Sequence, residues 1–202
     1  MENYICLNGV KTELTQEQVS EMQKLLGVSQ VRLSEVPFGE TFQIGQYEFI
    51  VLGRSSDTTA VIMKEFLHED KIFGNDNNFD GSNVDELCAE FAAEIAGMIG
   101  TDNLIEHTVD LTSDDGLKDY GKIKRRMSLI TTELYRRYVN ILDQYKPEKW
   151  WWLATPYSTP THEDADWVKC VSPRGYVYNG DCSFNGGVRP FCILKSNIFV
   201  SK

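Results

Sequence analysis

The chain has no cysteine pair at a recognisable motif spacing. Its five cysteines, Cys6, Cys88, Cys170, Cys182 and Cys192, are odd in number and scattered, with no C-x-x-C and no histidine at zinc-finger distance, which excludes a zinc ribbon or finger. Buried reduced thiols are the expectation, in a reducing compartment. One disulfide among Cys170, Cys182 and Cys192 is the alternative, since Cys182 falls in a polar loop where it would be exposed. Histidine is equally scarce. His68, His107 and His162 stand alone, without H-x-x-x-H or H-E-x-x-H, which argues against a zinc hydrolase. There is no G-x-S-x-G elbow, no phosphate-cradling glycine loop and no dinucleotide fingerprint, so no cofactor is expected. No stretch approaches the ~18 apolar residues of a membrane span, and no basic start leads into an apolar run near the N-terminus. The expectation is a soluble, unexported chain.

Positive charge is also in short supply. The net charge is −10, and from Glu65 to Asp119 fifteen acidic residues stand against two lysines. Only Lys122, Lys124, Arg125 and Arg126 form a basic cluster. Such a surface argues against nucleic acid or an anionic membrane as partner, because phosphate neutralisation needs a basic face. It leaves room for a cationic partner.

What is present is ordinary globular material. With 202 residues and 42% hydrophobic content the chain is long enough for one main core. Residues 1–30 read as a small appendage and residues 31–202 as the main domain. In the appendage an apolar strand (Tyr4 to Leu7) and a turn at Asn8-Gly9 precede a helix. Thr15 and Gln18 make a capping-box pattern for it, with Val19, Met22, Leu25 and Leu26 as its stripe. Phe42 and Ile44, then Tyr47, Phe49 and Val51 across Gly45-Gln46, predict a hairpin, with Thr58 to Met63 as a third strand. From Ser82 the period changes to that of a helix, with Val84, Leu87, Cys88, Phe91, Ile95, Met98 and Ile99 inward and Gly100 as its stop. A second helix is predicted from about Thr132 to Tyr145, with Leu134, Tyr138, Ile141 and Leu142 inward, ended before Pro147. Ile105 to Leu111 alternates as a weak strand before a polar loop, 112–121. After Pro147, short aromatic runs at Trp150 to Leu153, Trp167 to Val171, Tyr176 to Tyr178 and Phe191 to Leu194 are separated by turns, which predicts a small antiparallel sheet with elaborate loops. The fold class is thus α+β.

Three polar clusters compete as sites. Asp76-Asn77-Asn78-Phe79-Asp80-Gly81 resembles the opening of a calcium loop, but Leu87 stands where the twelfth-position glutamate belongs, and a solvated loop leading into the Ser82 cap is the favoured reading. Asp110, Asp114, Asp115 and Asp119 read as a second acidic ligand set, as paired carboxylates for acid/base chemistry or, with Gly116 among them, as a hydrated turn, which is the favoured reading. His162 reads either as a surface histidine without a task or as part of a ligand loop with Asp164, Asp166 and Trp167. Gly186 to Pro190 reads as a tight turn feeding a buried strand. Three successive tryptophans on a strand alternate between its faces, and most of that surface is expected to be core. The turn residues Tyr176, Tyr178, Asn179, Asp181, Ser183, Phe184 and Asn185 are the types that adaptable binding surfaces use: rigid amphipathic rings beside small hydrogen-bonding groups.

Those C-terminal residues also carry a family resemblance. Trp151-Trp152-Leu153-Ala154-Thr155-Pro156, a Val-Lys-Cys-Val strand, Gly-Tyr-Val-Tyr and Gly187-Val188-Arg189-Pro190 resemble a bacterial and phage domain family of unknown function marked by W-W-L-[RA]-[ST]-P and G-V-R-P. The resemblance covers about residues 35–202. That family is similar to C-type-lectin-like domains, in the branch holding formylglycine-generating enzymes and the variable proteins of diversity-generating retroelements. The resemblance implies two helices packed on small sheets, and a ligand surface built from loops 157–167 and 174–186, with Trp151, Trp152, Arg189 and Pro190 as scaffold. It also implies a phage or mobile-element setting, cytoplasmic or associated with the phage particle. No cysteine pair stands where the oxidase branch holds copper, so its catalysis is not carried over. The expectation is therefore a non-enzymatic module that binds a protein or glycan through His162, Asp164, Asp166, Trp167, Arg174, Tyr176, Tyr178, Asn179, Asp181, Phe184 and Asn185. The alternative is an acidic inhibitor that blocks a basic, nucleic-acid-binding enzyme.

Overall fold

A computed structural model describes residues 4–7, 10–13, 15, 17–18 and 30–202. Along the chain the first strands are β1 (Tyr4–Leu7), β2 (Val10–Glu13), β3 (Gln30–Arg32), β4 (Thr41–Ile44), β5 (Tyr47–Arg54), β6 (Thr58–Met63) and β7 (His68–Ile72). Helix α1 (Asn83–Ile99) leads to β8 (Leu104–Ile105), β9 (His107–Asp110), β10 (Lys122–Arg125) and β11 (Met127–Ser128). After α2 (Thr132–Leu142) come β12 (Trp151–Pro156), β13 (Trp167–Val171), β14 (Val177–Asp181), β15 (Asn185–Val188), β16 (Phe191–Lys195) and β17 (Phe199–Ser201). This is a mixed α+β fold of mostly antiparallel strands with two helices. The larger sheet has eight strands in the order β11-β16-β6-β5-β4-β17-β3, with β8 beside β16, so it is not the small sheet expected. A five-stranded sheet runs β14-β13-β12-β15-β7, and in it β12 and β15 are parallel. The other strands form two hairpin-like pairs, β1 with β2 and β9 with β10. No helix among the described residues is long and apolar enough to cross a membrane.

Local signals account for the central elements. Ile44 pairs with Tyr47 across Gly45-Gln46, and Gly45 takes φ +58°, the positive value a two-residue hairpin needs. Ser82 caps α1, its hydroxyl accepting from Asp85 N at 3.2 Å, and Gly100 ends the helix at φ +88°. Thr131 caps α2 in the same way through Leu134 N. Near the start of the chain the capping box closes, with Thr15 N donating to Gln18 Oε1 at 2.9 Å and Gln18 N to Thr15 Oγ1 at 3.2 Å. The rest of that predicted helix lies outside the described residues. The segment after Asn8-Gly9 is a strand, β2, before any helix.

The eight-stranded sheet is covered on both faces. Along β5, Phe49 and Val51 join the core under α1, with Val84, Cys88, Phe91 and Ile95, while Ile50 and Leu52 join the core under α2, with Tyr135 and Leu142. The tryptophan run is divided in the same way by strand alternation. Trp152 belongs to the first core and Trp151 to the second, each burying apolar area worth about 5 kcal/mol. Two helix faces differ from expectation. Met98 is 46% exposed and lies over Gly45, and in α2 Tyr135 and Leu142 are buried while Leu134, Tyr138 and Ile141 are only partly so.

Two C-terminal expectations are overturned. Gly186 and Gly187 are not a turn but the middle of strand β15. A Cβ at Gly186 would stand 2.6 Å from the Trp152 indole, and one at Gly187 would stand 2.5 Å from Phe66. The glycines are in the strand because aromatic rings lie flat on it. Cys182 is not exposed: Cys88, Cys170, Cys182 and Cys192 are all buried free thiols, so no disulfide links the three C-terminal cysteines.

Arg189 is the most unusual core residue, fully buried at 0% exposure. Its Nε donates to the Met63 carbonyl at 2.8 Å, and its guanidinium lies 5.4 Å from the centre of the Trp151 ring. Both terminal nitrogens lack a hydrogen-bond partner. Burial pulls its pKa down to about 10, so it keeps its charge at neutral pH. A cation–π contact of this kind returns ~2 kcal/mol when desolvated, whereas burying an ion costs several kcal/mol.

Candidate functional site

The five-stranded sheet carries most of the exposed apolar surface. Of the ten large hydrophobic side chains that are exposed among the described residues, seven lie on its strands or in its loops: Ile72, Trp150, Tyr157, Trp167, Tyr176, Tyr178 and Phe184. This concentration marks it as the candidate recognition surface. Each has a positional cause. Trp150 precedes β12 after the polar Glu148-Lys149 and is 45% exposed, although the two tryptophans that follow it are core. Tyr178 lies on the outer strand of the sheet, and Tyr176 precedes it on the same side. The Trp150 and Tyr178 ring centres are 5.3 Å apart in a T-shaped contact, and those of Tyr176 and Tyr178 are 6.5 Å apart. Such edge contacts fix ring geometry without burying the rings. Trp150 and Ile72 were missed by sequence reasoning, and Tyr157 was covered only as part of loop 157–167. For Trp150 the signal was its position, at the polar boundary of the aromatic run.

Strand register separates the expected site residues onto two faces. Tyr178 pairs with Cys170, while Asn179 pairs with Lys169 and Asp181 with Trp167. Trp150, Tyr176 and Tyr178 thus share one side, and Asn179, Asp181 and Trp167 share the other. Phe184 and Asn185 are exposed where β14 turns into β15, and Arg174 is exposed in the turn before Tyr176. The 172–175 turn is anchored from below. Gly175 sits at φ +84°, its N–H donates to Ser172 O, and Tyr135 Oη donates to its carbonyl at 2.7 Å.

The second face is held by buried or half-buried polar groups. Lys169 donates to Asp114 at 3.1 Å and to Asn179 Oδ1 at 2.8 Å, and its ammonium lies 5.7 Å from the Tyr157 ring centre. Asp164 and Asp181 are occupied within their own turns: Asp164 accepts from Asp166 N and Trp167 N, and Asp181 from Ser183 N and Oγ. Asp166 offers its backbone carbonyl to Cys182 N at 2.7 Å.

The acidic cluster is a clamp on loop 157–167 rather than a hydrated turn. Asp115 accepts from the hydroxyls of Ser113 and Ser158 and lies 2.9 Å from His162 Nδ1, and these hydrogen bonds, Ser113 first, hold its carboxyl well below the usual range. Asp119 accepts from Thr161 Oγ1 at 2.6 Å and Thr159 Oγ1 at 2.8 Å, which lowers its pKa as well. His162 therefore has a task as a partner of Asp115. Asp110 is held down to about 2 by Lys122 and Thr112. The calcium-like loop is likewise committed. Asp76 and Asn78 cap the next turns, Asp80 pairs with Arg125, and Arg125 grips Asp85 bidentately at 2.8 and 2.7 Å. Asn77 is fully buried, donating to Ser158 O at 3.2 Å and Trp167 O at 2.8 Å and accepting from Tyr120 Oη at 2.7 Å. No cluster of three metal-ligating side chains occurs among the described residues.

The remaining geometry offers little chemistry. His107 Nε2 and Ser128 Oγ are 2.9 Å apart, but both residues are buried and no carboxylate hydrogen-bonds the ring among the described residues. A cleft of about 400 Å³ lies over β4 and β17, with its charges paired as Lys202–Glu40 and Glu48–Lys64. Comparison with protein-family models, curated proteins and solved structures finds no match to this chain.

Proposed function

We propose that the chain is a non-enzymatic recognition module of C-type-lectin-like architecture, binding a protein or glycan through the aromatic side of its five-stranded sheet. The observation that carries this reading is the contiguous, exposed set Trp150, Tyr176 and Tyr178, with Phe184 also exposed in the turn after β14. The rings stand on strands and anchored turns, so little conformational entropy is lost when they are covered. Asn179 and Trp167 are exposed on a second, more polar face, held from beneath by the buried Lys169. The alternative of an acidic inhibitor draws less support. Six carboxylates of the acidic belt, Glu69, Asp70, Asp80, Asp85, Asp110 and Asp114, already pair with lysine or arginine within the chain.

The test is capture from a host lysate and on a glycan array, with the wild-type chain and a Tyr176→Ala/Tyr178→Ala/Phe184→Ala variant. The variant should melt within a few degrees of the wild type. Its affinity should fall at least ~30-fold, the effect of losing one interface hot spot. Unchanged capture would refute the assignment, and loss of folding would show these rings to be core.

A further inference from the structure

A second site lies inside the molecule, beneath the turn that carries Arg174 and Tyr176. A cavity between the end of α2 and the five-stranded sheet is lined by Arg189, Trp151, Tyr135, Lys146, Ser172 and Gly175, among others. Three donors in this group have no hydrogen-bond partner: both terminal nitrogens of Arg189 and the indole nitrogen of Trp151. All three belong to side chains at least 99% buried, with exposures of 0% for Arg189 and 1% for Trp151. Tyr135 gives its hydroxyl proton to Gly175 O and makes no hydrogen bond to any of the three. No carboxylate pairs with Arg189 among the described residues. Lys146, at the same cavity, pairs with Asp143 at 3.2 Å, whereas the guanidinium has no direct counter-ion among the described residues and feels the Glu65 carboxylate only from a distance.

We propose that this cavity is a binding site for a small monovalent anion of chloride's size, held by the Arg189 guanidinium and the Trp151 indole N–H. Both chemistry and size support the choice. A guanidinium stays protonated in proteins, and a buried ion is stable only when paired and hydrogen-bonded. A water molecule would satisfy the donors yet leave the positive charge unbalanced. The cavity is about 10 Å³, the lower limit for holding a single small particle. That excludes sulfate, phosphate and any peptide carboxylate. The anion would tie α2, β12 and the Ser172–Gly175 turn to one charge.

Bromide is the probe. The full-length chain, exchanged into gluconate buffer at constant ionic strength, should gain about 5 °C or more in Tm when bromide reaches ~100 times its Kd. Crystals grown in bromide should give one anomalous peak within hydrogen-bond reach of both Arg189 and Trp151. Trp151→Phe keeps an aromatic ring, although a smaller one, and removes one donor, and should weaken the bromide response about 3- to 10-fold. Arg189→Met should abolish it. If Arg189→Met does not fold, the Trp151→Phe titration and the anomalous map still decide. A wild-type Tm independent of bromide, or a cavity without an anomalous peak, overturns the proposal.

Discussion

Replacing Asn77 by alanine isolates how the acidic segments hold loop 157–167. The side chain joins three places distant in sequence, through Ser158 O, Trp167 O and Tyr120 Oη. Alanine removes all three bonds but leaves the backbone bond from Asn77 N to Ala165 O at 2.7 Å. At ~1 kcal/mol net for each bond, plus the cost of buried partners left unpaired, the loss should be about 3–5 kcal/mol. Tyr120→Phe breaks only one of the three and should cost about 1 kcal/mol. Urea unfolding with unchanged m-value measures both. Amide exchange should then show faster opening at residues 157–167 in the alanine variant, with α1 unaffected. A cost below 1 kcal/mol, or protection unchanged in that loop, would falsify the view that Asn77 is its anchor.

Two further outcomes follow from particular contacts. His107 has its pKa lowered to about 4 by burial, against ~6.5 when unfolded. Because the folded value is the lower one, the unfolded state binds the extra proton, and stability falls as pH drops from about 6.5 towards 4, by up to ~3 kcal/mol. His107→Gln should remove that slope in pH-dependent melting, and a slope that survives assigns it to other groups. Gly186→Ala should cost about 3 kcal/mol by overpacking against Trp152 and straining its 2.9 Å bond to Lys71 O. Chemical denaturation showing a loss under 1 kcal/mol would mean that the indole moves aside freely.

The elements legible in the sequence are those whose signal is local. Hydroxyl caps, a glycine stop and a 3.6-residue period located α1 and α2, and a two-residue glycine loop located β4 and β5. The strands that escaped notice depend on distant partners. In β7, His68-Glu69-Asp70-Lys71 has no apolar alternation, and it is a strand because it pairs with β15. Its partner is glycine-rich, and those glycines make sense only once the Trp152 ring is seen lying on them. Charge was the hardest to read. Asp85 falls on the buried stripe of α1, and nothing near it in sequence announces Arg125, forty residues away. The exposure of the C-terminal turn residues was legible from residue type. Their division between two sheet faces was not, since it follows from the register of β13 and β14.

The two edges of the five-stranded sheet are treated differently, and this bears on where a partner would bind. An open edge strand invites pairing with another chain, and charge is the usual guard. The β7 edge has that guard in His68, Glu69, Asp70 and Lys71, with Lys149 bridging Glu69 and Asp70 at 3.0 Å each. The β14 edge, Val177-Tyr178-Asn179-Gly180-Asp181, has one charged residue, and Asp181 is turned back onto Ser183. Nothing along that edge repels an approaching strand, and Tyr178 and Asn179 are exposed there. The net charge of −10 counters self-association through such an edge by general repulsion. Repulsion of that kind acts on copies of the chain and not on a neutral or cationic partner. The acidic composition and the unguarded aromatic edge are therefore compatible, because net repulsion opposes pairing between copies of the chain without placing a charge on the edge itself.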